Sequence, residues 1–316
     1  MSAQSTNAIA KHFDMVILGG GPAGLTAALY AARAGFSVVV LEQLSAGGQM
    51  ALSHQIDNYP GFENGIDGVT LSQKMEAQAL HFGALTKRAE VQSVDLTSDP
   101  KVIRTSEGVY CGKTVVVATG AVPRALGLPE EQAFIGRGLH YCAACDGMFY
   151  RGKTVVVVGG GNSAAADALL LSRIAEKVIL VHRRDTLRAE NIYRESLQNA
   201  ENVEFRWNSE VRQLLHGDAL TGVRIRDKLS GLEEEIPCDG VFVSIGRRPA
   251  TELLEGQLKL DDSKYVIADE STVTNIPGVF AAGDVRAKGV RQIVTAVADG
   301  AVAAHMVESW LADREG

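Results

Sequence analysis

Residues 14–43 read DMVILGGGPAGLTAALYAARAGFSVVVLEQ, and residues 154–183 read TVVVVGGGNSAAADALLLSRIAEKVILVHR. The two stretches align without a gap at an offset of 140 residues. Each opens on a short unbroken apolar run, as a strand buried on both faces requires, and continues through a glycine turn and an amphipathic helix to a second apolar strand. A βαβ unit is therefore written twice, and such a repeat sets the architecture. The likeness extends downstream: residues 90–120 and 210–246 both carry short alternating strands, separated by polar turns, that end in an apolar strand. After residue 246 strand signals return at 265–268 and 279–281, followed by a helix expected over about residues 290–311. The chain thus reads as α/β, with two homologous domains, the second (120–245) inserted into the first (1–119 and 246–316). The crossings, near residues 119–123 and 244–249, are rich in Gly, Pro or small residues and suit hinges.

In the first unit Gly19, Gly21 and Gly24 form G-x-G-x-x-G at the strand-to-helix turn. Such a turn lets the backbone approach a pyrophosphate, whose charge then faces the helix's free amides. Glu42 ends the second strand about 20 residues on, where a carboxylate accepts hydrogen bonds from ribose hydroxyls. In the second unit Gly159, Gly161 and Ala164 give the G-x-G-x-x-A variant. The position of Glu42 is taken by His182, followed by Arg183, Arg184 and Arg188. The sign of the charge reverses, and guanidinium groups bind a 2′-phosphate bidentately, so this unit is expected to prefer NADPH. FAD is the natural complement for the first. Thr119 and Gly120, and Gly283 and Asp284, end two further strands of that domain, where ligands gather in open α/β sheets. Asp284 is expected to hold the flavin's ribityl chain, with capping of the last helix as its alternative role. A solvated basic loop is the alternative reading of the arginine cluster.

Four cysteines in 316 residues, Cys111, Cys142, Cys145 and Cys238, are too few to staple a secreted fold and fit a reducing compartment. The run His140-Tyr-Cys142-Ala-Ala-Cys145-Asp146 holds a close pair. Haem attachment fails because Asp146 stands where C-x-x-C-H needs histidine. A closed zinc site would lack a fourth ligand beyond His140, Cys142 and Cys145. A redox dithiol remains, with Asp146 expected to take or give the proton that thiol–disulfide exchange moves. His140 reads as structural rather than catalytic, and Cys111 and Cys238, each just before the last strand of its repeat, as small core residues.

Composition narrows the partners. With 31 basic against 38 acidic residues the formal net charge is -7, which argues against nucleic acid. Residues 15–32 are uncharged and nearly long enough to span a membrane, but Gly19, Gly20, Gly21 and Pro22 interrupt them. The N-terminus MSAQSTNAIAKHFD carries no apolar run and reads as neither secretion signal nor transit peptide, so the expected location is the cytoplasm.

Taken with GGQ at 47–49, NYPG at 58–61, CAACDG at 142–147, HRRDTLRA at 182–189 and AAGDVRAKGVRQI at 281–293, these motifs make the chain resemble the bacterial-type low-molecular-weight thioredoxin reductases over nearly its whole length. The resemblance implies a homodimeric flavoprotein with two Rossmann-like domains that passes electrons from NADPH through FAD and a Cys142/Cys145 disulfide to thioredoxin. It places FAD contacts on Gly21, Glu42, Gln49, Asn58, Asp284, Arg291, Gln292 and Ile293. NADPH contacts fall on the second glycine turn with Asn162, Ser163 and Ala164, and on His182, Arg183, Arg184 and Arg188. It also implies that Cys145 lies against the flavin while Cys142 attacks the partner disulfide. Ala144, and Arg247-Arg248-Pro249-Ala250 after the second crossing, depart from the family pattern. Since thiols and NADPH turn share one domain, rotation about the crossings is expected to present them to the flavin alternately.

Overall fold

The computed structural model describes residues 10–53 and 55–315. The first nine residues, which carry most of the N-terminus read above for targeting signals, lie outside the described residues. The chain opens with β1 (Lys11–Leu18), α1 (Pro22–Arg33), β2 (Val38–Glu42), α2 (Gly68–His81) and β3 (Leu85–Arg88). A meander follows through β4 (Val91–Asp95), β5 (Lys101–Thr105) and the long β6 (Gly108–Val117). The first crossing is β7 (Ala121–Pro123). Next come α3 (Glu131–Phe134), β8 (Leu139–His140), α4 (Ala143–Asp146), β9 (Thr154–Gly159), α5 (Asn162–Ser172), β10 (Lys177–Val181), α6 (Asn191–Gln198) and β11 (Val203–Arg206). A second meander, β12 (Ser209–His216), β13 (Leu220–Asp227) and β14 (Glu233–Pro237), leads to β15 (Gly240–Ser244). The return crossing β16 (Arg247–Pro249) precedes β17 (Val279–Ala281) and α7 (Ile293–Glu315).

The chain divides into two compact units: Met1–His54, Tyr59–Val122 and Arg248–Gly316 form one, and Gln55–Asn58 with Pro123–Arg247 the other. In the first, the strand order is β3-β2-β1-β6-β5-β4, with β17 also on β6. β1, β2, β3 and β17 join in parallel, while β4 and β5 are antiparallel. The apolar runs earn their central places: Met15, Val16, Ile17, Val39, Val40 and 115–117 are wholly buried. Each contributes about 1.5–3 kcal/mol relative to exposure. One face of the sheet packs on α1 and α7 through Ala27, Ala31, Ala303 and Val307, and the other buries Leu41, Ile103, Tyr110 and Val266. In the second unit the order is β11-β10-β9-β15-β8, with β12-β13-β14 as a separate antiparallel sheet.

The repeat is imperfect in one instructive place. In the first unit β6 runs for 10 residues, pairing with β5 along one half and β17 along the other. In the second unit Pro237 ends β14 and β15 starts afresh at Gly240, because proline cannot donate to a ladder. Cys111 therefore lies within β6, not ahead of the last strand, whereas Cys238 keeps the expected place; both are buried. The run 265–268 makes only isolated bridges through Val266, since Lys264 at φ 72° breaks the extended chain before it. The last helix starts at Ile293, with the Thr295 hydroxyl accepting from the Gln292 amide at 3.1 Å.

Candidate functional site

In the first unit the glycine turn joins β1 to α1, whose N1 position is Pro22, pre-set for a helix start. Gly24 is forced: a Cβ there would lie 2.0 Å from the Gly19 carbonyl oxygen. Gly21 differs, because its Cβ would meet nothing within 4 Å. Gly21 caps α1 without a side-chain hydrogen bond, and the first turn carries no acid. The open space and uncapped amides suit a phosphate. The Gly20 amide donates to Glu42 Oε2 at 2.7 Å and the Leu44 amide to Oε1 at 3.2 Å, fixing the carboxylate beside the turn. Gly47 donates its amide to the Gly20 carbonyl at 2.7 Å, which lays Gly48 and exposed Gln49 alongside. Gly283, at φ 79°, sits where a Cβ would be 2.9 Å from Ala23, so the turn that carries Asp284 also adjoins the start of α1.

Gly21, Glu42, Gln49 and Gly283 thus belong to one neighbourhood. Other expected cofactor residues have different partners. Thr119 donates its hydroxyl to the Ala250 carbonyl at 2.7 Å, and the Ala250 amide donates to the Gly120 carbonyl at 3.0 Å, so both tie down the crossing. Arg291 lies over the Tyr265 ring at 4.0 Å, its Nε 3.5 Å from the Asp284 carbonyl. Asn58 groups with the second unit and donates to the Ala144 carbonyl at 3.4 Å.

The second unit builds its turn likewise. Gly161 caps α5 without a side-chain bond, and a Cβ there would meet nothing within 4 Å. Ala164 packs on Gly159, which is why alanine serves in the third position. The basic loop is stitched to this turn: the Arg188 amide donates to the Gly160 carbonyl at 2.7 Å, and Asn162 exchanges hydrogen bonds with Glu190 at 2.8 and 2.9 Å. Asn162 is therefore a brace, while Ser163 is exposed beside it. His182 is buried against Gly160, where a Cβ would collide with its ring. Burial lowers its pKa first, and Arg188, Arg183 and Arg184 push it further in the same direction, so the imidazole stays neutral. The three guanidinium groups are exposed and form no ion pair among the described residues.

Cys142 and Cys145 are joined as a disulfide with Cα atoms 5.3 Å apart, at the start and within the short turn α4. Asp146 follows at once, its amide on the Cys142 carbonyl at 3.1 Å. His140 Nδ1 lies 3.0 Å from Asp146 Oδ2. Cys238 is no competing nucleophile, since burial above all, and Asp239 next, push its pKa up to about 12.

A family model described as pyridine nucleotide-disulphide oxidoreductase matches residues 13–300. The thioredoxin reductase of Streptomyces clavuligerus is 45% identical over 302 residues, covering 95% of this chain and 94% of that one. That of Treponema pallidum is 41% identical over 299 residues, covering 95% and 97%. The solved thioredoxin reductase of Streptococcus pyogenes superposes with a TM-score of 0.89 at 41% identity, over 96% of this chain and 99% of that one. The chain belongs to the thioredoxin reductase family of pyridine nucleotide-disulphide oxidoreductases.

In this thioredoxin reductase family member the disulfide fits a redox-active C-x-x-C. Two groups escaped sequence reasoning. Asp299, inside an apolar helix, accepts from the Gly283 amide at 2.9 Å, Arg286 at 3.0 Å and Lys288 at 2.9 Å, and so holds the turn that carries Asp284. Asp167 accepts from Ser244 at the end of β15; burial raises its pKa, against the pull of Ser244 and Arg247. A lone acid in an apolar, alanine-rich helix was the available signal for both.

Proposed function

We propose that this protein is an NADPH-dependent thioredoxin-disulfide reductase that carries FAD and delivers electrons through the Cys142–Cys145 pair. The observation that carries the reading is the closed disulfide in the same compact unit as a glycine turn fastened to the Arg188 backbone, where Arg183, Arg184 and Arg188 are exposed and form no ion pair among the described residues. Gly19, Gly21, Gly24, Glu42, Gln49, Gly283 and Asp284 would hold FAD, and the open side of Gly21 is the fit expected of a turn that a pyrophosphate approaches. Asn58, Thr119, Gly120, Arg291, Gln292 and Ile293 belong to the same proposed set. Gly159, Gly161, Asn162, Ser163, Ala164 and His182 would shape the NADPH turn, with Arg183, Arg184 and Arg188 clamping the 2′-phosphate.

When bound, FAD accepts two electrons from NADPH and returns them to a disulfide. The chain's own part is to position and to move protons. Cys142 is the thiol that attacks thioredoxin, Cys145 the one that resolves the mixed disulfide, and Asp146 the proton carrier between them. Homodimerisation and a cytoplasmic location complete the proposal. Two free buried cysteines support a reducing compartment, and no described helix is long and apolar enough to cross a membrane. The net charge of -7 speaks against a nucleic-acid partner. Adding NADPH anaerobically to the purified yellow protein is expected to bleach it, and oxidised thioredoxin to restore the colour. Bleaching without recovery would reject thioredoxin as substrate, and no bleaching would reject NADPH as donor.

A further inference from the structure

Two residues before the first thiol and one after the second stand side chains that meet each other. His140, only 5% exposed, has Nδ1 3.0 Å from Asp146 Oδ2 and Nε2 2.7 Å from the Tyr150 hydroxyl. Its ring is stacked on Phe242 and edge-on to Tyr150, with both centroids at 5.2 Å. Gly240 makes room for this clamp, since a Cβ there would lie 2.3 Å from the Tyr150 ring. An apolar side chain would fill the same space without desolvating two ring nitrogens. An imidazole with both nitrogens aimed at polar groups therefore needs a reason beyond packing.

We propose that His140 is a positioning residue for the outgoing dithiol: fixed by Tyr150, it aims an N–H at Asp146 Oδ2 and leaves Oδ1 to exchange protons with the sulfurs. The proposal rests on the dithiol function given above. The proposal requires one tautomer. Burial, and then Asp146, Cys238 and Asp239, raise the Tyr150 pKa, while Lys153 lies 5.5 Å over the ring. With the phenol protonated its hydroxyl can donate to Nε2, and in that arrangement the ring N–H is on Nδ1, facing Asp146. The Nδ1 contact is close but outside hydrogen-bond alignment, as pairs that tighten only with substrate bound often are.

The exchange balances as follows. The Cys142 thiolate attacks one sulfur of the thioredoxin disulfide, that bond breaks, and the departing sulfur takes the proton of the Asp146 carboxyl. The Cys145 thiol gives its proton to the Asp146 carboxylate and attacks the Cys142 sulfur. A second thioredoxin thiolate leaves and the Cys142–Cys145 disulfide is remade. Two electrons pass to thioredoxin, and Asp146 ends as it began.

The test compares His140→Phe, which keeps the ring packing, with His140→Asn, which keeps a donor near Nδ1. Anaerobic rapid-mixing would follow flavin bleaching by NADPH and reoxidation by thioredoxin disulfide separately across pH. Bleaching is expected to be unchanged in both variants. Reoxidation of His140→Phe is expected to slow about tenfold with an altered pH profile, less than the roughly 100-fold loss expected for Asp146→Asn, and His140→Asn is expected to recover most of the rate. Equal slowing of both variants with an unchanged pH profile, or no slowing of His140→Phe, would overturn the proposal. If His140→Phe does not fold, nitrogen NMR of the parent decides: a proton on Nδ1 is required, and one on Nε2 overturns it. Should the parent bleach yet fail to reduce thioredoxin, the substrate reading fails by itself. The same variants read with a small aromatic disulfide then still decide the role of His140.

Discussion

Arg183, Arg184 and Arg188 project from a loop whose backbone is fastened to the second glycine turn, and no carboxylate among the described residues neutralises them. Each charge-assisted bond to a phosphate contributes about 1.5–3 kcal/mol. Replacing Arg183 and Arg184 together with alanine is therefore expected to weaken NADPH binding by at least about tenfold per residue while leaving NADH nearly unchanged. Steady-state ratios for the two nucleotides check this, and an unaltered ratio refutes the phosphate clamp. Cys142→Ser is expected to yield a flavin that NADPH still bleaches but no reduced thioredoxin, since the attacking sulfur is gone. The sequence alone proposes the arginines, because a change of charge sign at one strand end needs no tertiary information. Asp299 was not. Its three partners lie 11 to 16 residues away, on the Gly283 turn and the segment before α7, and only the folded chain gathers them.

At the scale of elements, two glycines of one turn separate structure from ligand. Gly24→Ala would press a Cβ into the Gly19 carbonyl, and overpacking of this kind costs about 1–3 kcal/mol. Gly21→Ala meets open space at an ordinary φ of -76°. The apoprotein of Gly21→Ala is expected to melt as the parent does yet to bind FAD poorly, whereas Gly24→Ala is expected to lose thermal stability even without cofactor. Calorimetry of both apoproteins and flavin titration check the contrast. The turn before α7 makes a pH prediction. Burial opposes ionisation of Asp299, but Arg286, Lys288 and the Gly283 amide outweigh it, so its carboxyl lies below the ordinary range. The folded state then holds the carboxylate where the unfolded chain, titrating near about 3.9, would take a proton. This stabilisation is complete well above that value and is lost as the pH falls through the lower, folded one. Asp299→Ala leaves buried Lys288 without a carboxylate among the described residues and Arg286 with only exposed Glu270, and is expected to cost about 3 kcal/mol in urea unfolding near neutrality, with the gap from the parent narrowing in acid. The sequence foretold β17 and α7 closely but gave 265–268 too much regularity, because alternation alone does not register a positive φ such as that of Lys264.

For the whole molecule, the two-lobed plan and its family were legible because a repeat at a constant offset survives any error in placing single elements. Less visible was the grouping of residues 55–58 with the second unit, which no periodicity marks. That unit has two apolar clusters of its own, one on either side of β9, β10 and β15. Expressed alone from the first crossing to the second, residues 121–249 are expected to unfold cooperatively and to bind adenosine 2′,5′-bisphosphate while remaining colourless. Calorimetry with and without that nucleotide checks this; failure to fold would show that its core depends on the rest of the chain.

β7 and β16 pair as a two-stranded ribbon, and just outside it the Ala250 amide reaches the Gly120 carbonyl at 3.0 Å. The long segment 123–247 thus departs and returns along one ribbon. Cutting there leaves two ends held side by side, close enough for a tight loop to bridge, so the stretch between them could be swapped for another insert without reshaping the strands that flank it.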